Sequence, residues 1–124
     1  MTLDEIRDIL EADLIVGENK IRMNIERAFG ADLMSDVLAF AKEGSLLLTG
    51  LINPLVVRTA DTIGLSAIVF VRGKRPSEET VKLAIEKNIP LLSTRYIMFE
   101  TCGRLYSNGI RGSVSKVNNN LAGG

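Results

Sequence analysis

Apolar residues fall into three short continuous runs, separated by stretches with helical spacing. The runs cover Leu46–Leu48, Ala67–Val71 and Ile89–Leu92, and each is too short for a buried helix, which indicates strands. Strands made wholly of apolar residues are covered on both faces, and such strands are parallel with helical crossovers between them. We therefore predict three parallel strands in an α/β sheet, joined by right-handed connections.

Capping residues and glycines mark the helix boundaries around these strands. Side-chain oxygens that can cap a first turn occur at Asp32, Asn53, Ser77 and Thr94. Pro54 at a first helical position and Gly64 at a left-handed stop bound the second of these helices. In the third, the spacing of Val81, Ala84 and Ile85 predicts one buried face. This part of the chain is therefore predicted to contain four helices alternating with three strands.

The N-terminal part of the chain is less regular. Thr2 and Glu5 form a capping box that opens a short helix, and Leu14–Val16 is predicted to be a short strand. Every second residue from Ile21 to Ile25 is apolar, which predicts another strand at an edge of the sheet. The same stretch could instead continue as helix.

These elements combine into one three-layer α/β domain. Its sheet is predicted to be mostly parallel, with about four to five strands flanked by helices. The domain covers residues 1–110, whereas residues 111–124 lack a periodic apolar face and are predicted to form a flexible tail.

The composition excludes several classes of chemistry. The 124 residues contain no histidine and one cysteine, Cys102, which excludes catalytic triads, His-ligated metals and a cysteine-ligated cluster within one chain. A buried, unreactive Cys102 thiol is favoured over redox or metal use. Fifteen basic residues balance fifteen acidic ones, which argues against nucleic acid or a membrane surface as a partner. No cofactor is expected.

Localisation and assembly follow from the distribution of apolar and charged residues. No apolar run approaches the roughly 20 residues that span a bilayer, and the acidic N-terminus lacks a secretory apolar core, so we expect a cytoplasmic protein. Residues 1–43 hold ten acids and five bases, and residues 44–124 hold the reverse. This asymmetry is compatible with self-association or with two solvated surfaces. The predicted helices Asp32–Glu43 and Thr94–Gly109 carry wide apolar faces, which favours a homodimer.

Candidate chemistry lies where the three strands end, because ligands of an open parallel sheet collect beyond the carboxyl ends of its strands. We name as the rim the following residues: Thr49, Gly50, Asn53, Arg72, Gly73, Lys74, Arg75, Ser93 and Thr94. Their hydroxyls, cations and helix N-termini suit a phosphate or another anion. We expect backbone N–H groups after Thr49, Gly73 and Ser93 to contact it. Ordinary helix caps and a solvated basic loop explain the same residues structurally. No P-loop or dinucleotide-binding glycine motif is present.

A small acidic cluster precedes the regular part of the sheet. Asp32 and Asp36 are four residues apart and would share a helix face with Ser35 nearby, where they could hold Mg²⁺ together with phosphate. A helix cap and an exposed acid explain them as well. Asp32 is included among the candidate ligand-binding residues.

Four stretches of the chain carry a resemblance to a known family: Asp32–Leu38, Leu47–Gly50, Ala67–Pro76 and Ile89–Thr94. With the N-terminal segment they cover roughly residues 1–110, and they resemble DRTGG-domain proteins. Asp32 matches the Asp of that name, Thr49 the Thr and Gly50 the first Gly. Leu33 and Leu51 stand where the Arg and the second Gly are expected.

The resemblance implies an α/β regulatory or accessory module. Such domains accompany nucleotide-sensing CBS domains, phosphotransacetylases and pyrophosphatases, and are similar to the N-terminal domain of HPr kinase, which lacks the catalytic P-loop. Stand-alone relatives are labelled iron–sulfur-binding or hydrogenase-associated, although this chain offers no cluster ligand set.

The expected function is a non-catalytic module, a homodimer that binds an anionic small molecule such as a nucleotide. The alternative is a protein–protein adaptor for an iron–sulfur hydrogenase complex, with a hydrogenase subunit as its partner. A third hypothesis, phosphotransfer by analogy with HPr kinase, has no motif in support.

Overall fold

The computed structural model describes residues 1–118, which contain five α-helices and six strands. In chain order these are α1 (Leu3–Ile9), β1 (Asp13–Val16), β2 (Arg27–Gly30), α2 (Met34–Phe40), β3 (Leu46–Thr49), α3 (Pro54–Ile63), β4 (Ala67–Phe70), α4 (Glu78–Lys87), β5 (Leu91–Ser93), α5 (Met98–Ser107) and β6 (Arg111–Gly112). A 3₁₀ turn at Glu18–Lys20 follows β1. Within the described residues, no helix is both long and apolar enough to cross a membrane.

The strands form one sheet in the order β1-β5-β4-β3-β2-β6. All neighbours are parallel except β1, which runs antiparallel to β5 and closes one edge. Every residue of β3, β4 and β5 is buried, because helices cover both faces of these strands. The predicted α/β class and mostly parallel sheet are therefore confirmed, with six strands rather than four to five.

Alternate residues of each central strand serve two separate cores. On β3, Leu47 packs with α2, α3 and α4, whereas Leu46 and Leu48 pack with α1 and α5. The sheet is thus the middle of three layers, with three helices on one face and two on the other.

The capping signals around α3 and α4 are confirmed. Asn53 Oδ1 accepts from the backbone N–H of Leu55 at 3.0 Å, and Gly64 ends α3 with φ +72°. Ser77 likewise caps α4. In α4, however, the prediction that Ile85 is buried is wrong, because the helix turns that side chain outward and leaves it 63% exposed.

The predicted strand at Ile21–Ile25 is wrong. Instead, the carbonyl oxygens of Ile21 and Met23 accept from the first N–H groups of α1 at 2.9 and 3.0 Å. These free helix N–H groups compete for the same carbonyls that a strand would use. The strand next to β3 is instead β2, a few residues further along the chain, and β6 follows it at the edge of the sheet.

The segment that follows α5 joins the sheet. The sequence pattern predicts a flexible tail from Arg111, but Arg111 and Gly112 pair with β2. Beyond them, Ser113 is buried and its hydroxyl lies 2.6 Å from that of Ser45. A two-residue strand is too short to leave a periodic pattern in the sequence. The part of the predicted tail from residue 119 onward lies outside the described residues.

Candidate functional site

The structure brings the three groups of rim residues together at the carboxyl ends of β3, β4 and β5. The N–H of Val71 donates to the carbonyl of Thr49, and the N–H of Thr94 donates to that of Phe70, both at 2.9 Å. The N–H of Gly73 donates to the carbonyl of Thr94 at 2.9 Å. The loops after β3, β4 and β5 are therefore tied to one another in the order of their strands.

Asp32 holds the loop after β3. Its Oδ1 accepts from the Thr49 hydroxyl at 3.1 Å and from the Gly50 N–H at 2.7 Å. The expectation that Asp32 caps a helix is wrong, because α2 begins after Leu33 without a side-chain cap. The two donors from the β3 loop hold the Asp32 carboxylate away from the α2 N-terminus. Asp32 and Asp36 therefore do not share a helix face.

Two hydroxyls at the end of β5, on Ser93 and Thr94, also form hydrogen bonds within the protein. The Ser93 hydroxyl donates to the carbonyl of Lys74 at 2.7 Å. The Thr94 hydroxyl donates to the carbonyl of Leu10 at 2.6 Å and accepts from the N–H of Tyr96 at 3.3 Å. Both side chains are buried. The expectation that Thr94 caps the last helix is wrong, since α5 begins later, after Ile97.

The backbone N–H groups expected to contact an anion are already used. Gly50 donates to Asp32, and Leu51 donates to the hydroxyl of Thr49 at 3.2 Å. After Gly73, Lys74 donates to the carbonyl of Val71 at 3.2 Å, and after Ser93, Thr94 donates to that of Phe70 at 2.9 Å. The expectation of a backbone cradle at these positions is therefore wrong, and the side-chain cations are what the rim leaves available for a ligand.

The cations after β4 are exposed and differ in their partners. Arg75 forms an ion pair with Asp13 of β1. Arg72 and Lys74 take part in none of the ion pairs found within residues 1–118. Among these three cations, the basic charge that is free for a ligand is therefore that of Arg72 and Lys74.

Arg72 is held in an unusual backbone conformation. Its φ is +63°, and Gly73 follows at φ +69°, a region that non-glycine residues rarely occupy. The Arg72 N–H donates to the carbonyl of Tyr96 at 2.8 Å. The guanidinium lies against Gly50, with its Cζ 3.0 Å from the position that a Cβ would take there. Only glycine at position 50 leaves room for the Arg72 guanidinium. No local sequence pattern predicts this contact between Arg72 and Gly50.

Metal-ligating side chains do not gather at the rim. Across the described part of the chain, no three His, Cys, Asp or Glu residues lie close enough to hold a metal ion. Cys102 lies on α5, half buried, and burial raises the pKa of its thiol.

The whole chain resembles a larger structure in fold. That structure is the CBS and DRTGG domains of the regulatory region of Clostridium perfringens pyrophosphatase, complexed with its activator, diadenosine tetraphosphate. The TM-score is 0.69 with 21% identity, and the match covers 97% of this chain. The chain spans about half of the length of that structure, 52%.

Among curated proteins, none matches this sequence. The DRTGG domain model matches residues 5–107, which is most of the chain and contains every rim residue. The resemblance found in the sequence is therefore confirmed, and the chain belongs to the DRTGG-domain family.

Proposed function

We propose that this chain is a regulatory module without catalysis of its own, which binds an anionic small molecule, a nucleotide, at the rim. The observation that carries the proposal is Arg72, whose backbone is held in a strained conformation and whose exposed guanidinium lies against Gly50 with no ion-pair partner in residues 1–118.

The backbone of Arg72 supports a functional reading. A left-handed conformation at a non-glycine residue costs on the order of 1–3 kcal/mol and persists only where its surroundings enforce it. Here the hydrogen bonds of Arg72 and Gly73 to the loop after β5 enforce it. A glycine at position 72 would fold into this turn with less strain. The chain instead has a residue whose planar guanidinium can bind a phosphate through two hydrogen bonds.

The groups around Gly50 fit two parts of a nucleotide. Asp32 Oδ2 has no hydrogen bond to any described residue, and a ribose hydroxyl can donate to it. Arg72 lies against the same glycine and, with Lys74 nearby in sequence, supplies positive charge for phosphates. A carboxylate repels phosphate, so the phosphate groups belong on the Arg72 side and the sugar on the Asp32 side.

The structural neighbour supports the class of function. It is a regulatory region that contains a DRTGG domain and is bound by a dinucleotide activator. We infer a comparable role for this chain, in which binding of a nucleotide regulates the activity of a partner protein.

The proposal is tested by titrating the protein with diadenosine tetraphosphate and with ATP, using adenosine as the uncharged control. Isothermal calorimetry on the Arg72→Ala/Lys74→Ala variant should show about tenfold weaker binding of the phosphate ligands, or about 1.4 kcal/mol. The Arg58→Ala/Lys82→Ala variant removes the same charge from exposed helix positions, and we expect it to bind like the wild type.

Equal affinity of both double variants for ATP at physiological salt would overturn the proposal. So would the absence of a shift in thermal unfolding, because a ligand at one hundred times its Kd stabilises the folded state by about 2.7 kcal/mol.

Self-association is part of the proposal. Phe99 of α5 is 83% exposed, and Leu33 and Leu38 at α2 are also exposed. Such large apolar side chains support an interface between two copies. Light scattering at micromolar concentration should give a dimer, and a monomer would reject this part of the proposal.

The same exposed residues favour the second candidate, an adaptor for another protein, for which a hydrogenase subunit remains the predicted partner. Phe99→Ser should then abolish capture of that partner while nucleotide affinity stays unchanged. If the variant still captures the partner, the adaptor function does not use this surface.

A further inference from the structure

A cavity of about 130 Å³ lies between α5 and the β2–β6 edge of the sheet. Its existence follows from small side chains, because two glycines and an alanine occupy strand positions where larger residues would fill the space. Most of the wall is carbon, contributed by Ala28, Gly30, Gly112, Cys102, Leu105 and Tyr106. None of these is a rim residue.

Two arginines lie beside this cavity. Arg27 and Arg111 are directly paired in the β2–β6 register, and both line a surface depression that shares Tyr106 and Gly112 with the cavity wall. Nη1 of Arg27 donates to the carbonyl of Gly112 at 2.9 Å. Nη1 of Arg111 donates to the carbonyl of Tyr106 at 3.1 Å, and its guanidinium lies 4.3 Å from the centre of that ring.

The pair of arginines is not neutralised within residues 1–118, where no carboxylate forms an ion pair with either. Like charges directly opposite each other on neighbouring strands repel. An anion between them removes that repulsion and can accept from the remaining guanidinium N–H groups.

We propose that the cavity and its two arginines form a second binding site, for a small organic anion. The apolar part of this ligand is one compact group, no larger than a single aromatic ring, because an engineered cavity of about 150 Å³ binds benzene and this cavity is slightly smaller and open to solvent on one side. Its carboxylate or phosphate is bound by Arg27 and Arg111. The site is separate from the rim, so a nucleotide and the organic anion can be bound together.

The rate at which Cys102 is alkylated measures directly whether a ligand occupies the cavity. It is the one cysteine of the chain and its thiol lines the cavity, so a bound ring shields it from alkylation. The probes are benzoate, benzamide and acetate, and the readout is the rate of iodoacetamide labelling followed by mass spectrometry. Benzoate should slow labelling about tenfold when about nine-tenths of the protein is bound. Benzamide lacks the charge and acetate lacks the ring, so both should protect much less at the same concentration.

Variants of the two arginines test the part of the site that binds the charged group of the ligand. Arg27→Gln/Arg111→Gln should raise the benzoate concentration needed for half-protection by about tenfold and leave benzamide unchanged. Each single variant should show part of the effect, which covers the case in which the double variant folds poorly. The control is Arg104→Gln on α5, which removes a guanidinium 3.9 Å from the centre of the Tyr96 ring, a second arginine–tyrosine pair that does not line the cavity.

A methyl group added to the cavity wall at Gly30 tests the part of the site that binds the apolar group of the ligand. In Gly30→Ala the new Cβ would lie 3.1 Å from Met98 Sδ and 3.4 Å from Cys102 Sγ, so it narrows the cavity while the flexible Met98 can adjust. Benzoate and benzamide should both bind several-fold more weakly to this variant. Gly103→Ala is the control, because nothing lies within 4 Å of its added methyl.

Two results would overturn the second site. One is an unchanged labelling rate of the wild type with benzoate at about 20 mM, together with unshifted amide resonances of the cavity-lining residues in NMR spectra. The other is protection by benzoate and benzamide that is equal and insensitive to the arginine variants. Nucleotide binding at the rim is measured separately with ATP, so failure of either site is seen without reference to the other.

Discussion

The rim and the β2–β6 edge both present arginines to solvent, but they position them by different means. At the rim, Arg72 is fixed by its own backbone, which is tied through hydrogen bonds to the next loop. At the edge, Arg27 and Arg111 have their guanidinium groups fixed by carbonyl oxygens beside an apolar cavity. The rim should therefore be sensitive to changes in backbone conformation and hydrogen bonding, and the edge to changes in side-chain volume and charge.

The largest effect should come from breaking the hydrogen bonds that hold the rim. Thr94→Val keeps the shape of the side chain but leaves the buried carbonyl of Leu10 and the N–H of Tyr96 without this hydroxyl. Each unsatisfied buried group costs about 1–3 kcal/mol, so we expect a loss of about 2–3 kcal/mol in the free energy of unfolding, measured with urea.

Thr62→Val is the matched control for that change. Its hydroxyl donates to the helical carbonyl of Arg58 on an exposed turn, where water can replace it, and we expect a change within about 0.5 kcal/mol. If both variants lose the same stability, the hydrogen bonds of Thr94 do not hold the rim.

Next in size is a change that moves Arg72 without removing its charge. A Cβ in Gly50→Ala would occupy the place of the Arg72 guanidinium, so we expect ATP to bind about tenfold more weakly, which is about 1.4 kcal/mol. Gly30→Ala, at the other region, should leave ATP affinity unchanged. Wild-type affinity in Gly50→Ala, measured by calorimetry, would show that the position of Arg72 does not matter for the ligand.

Two glycine substitutions should change stability in opposite directions. Gly73→Ala meets no atom within 4 Å but places an alanine at φ +69°, which should cost about 1 kcal/mol. Gly103→Ala also meets nothing but lies inside α5, where alanine stabilises a helix by about 0.5–1 kcal/mol. Thermal unfolding checks both, and a shift in the same direction would contradict the assignment of strain to the rim backbone.

The smallest effect concerns the thiol beside the cavity. Burial raises the pKa of Cys102 in the folded protein above its unfolded value, so the folded state keeps its proton at pH values where the unfolded state loses it. The free energy of unfolding should therefore fall as pH rises from about 8.5 through the raised pKa. Cys102→Ala should remove this part of the slope in urea titrations.

Tyr96 also contributes to the pH dependence of stability, and its contribution can be distinguished from that of Cys102. The hydrogen bond to Glu11 raises the pKa of Tyr96, which acts in the same direction at higher pH, and its contribution should remain in Cys102→Ala. An unchanged slope in that variant would show that the thiol is not the group responsible.

Whether a feature of the fold could be predicted from the sequence depends on whether the interactions that determine it are local or join distant parts of the chain. The buried strands and α3 are specified locally, by continuous apolar runs and by Asn53, Pro54 and Gly64, so their positions could be predicted. Asp32 and Thr94 carry the same local capping signal, yet tertiary donors and acceptors take their side chains instead.

The candidate site divides in the same way. The convergence of the loops follows from strand order and could be predicted. The contact of Arg72 with Gly50 and the pairing of Arg27 with Arg111 could not, because each joins residues that are distant in the sequence. The short edge strand β6 left no period to detect.

The hydrogen bond from Thr94 to Leu10 closes a loop of 84 residues, and β1 pairs with β5 over a similar separation. Closing so long a segment is slow, whereas β3, α3 and β4 meet through short connections. We therefore expect the parallel centre to form the folding nucleus and α1 with β1 to dock afterwards. In stopped-flow experiments, Thr94→Val should then accelerate unfolding and leave the refolding rate almost unchanged.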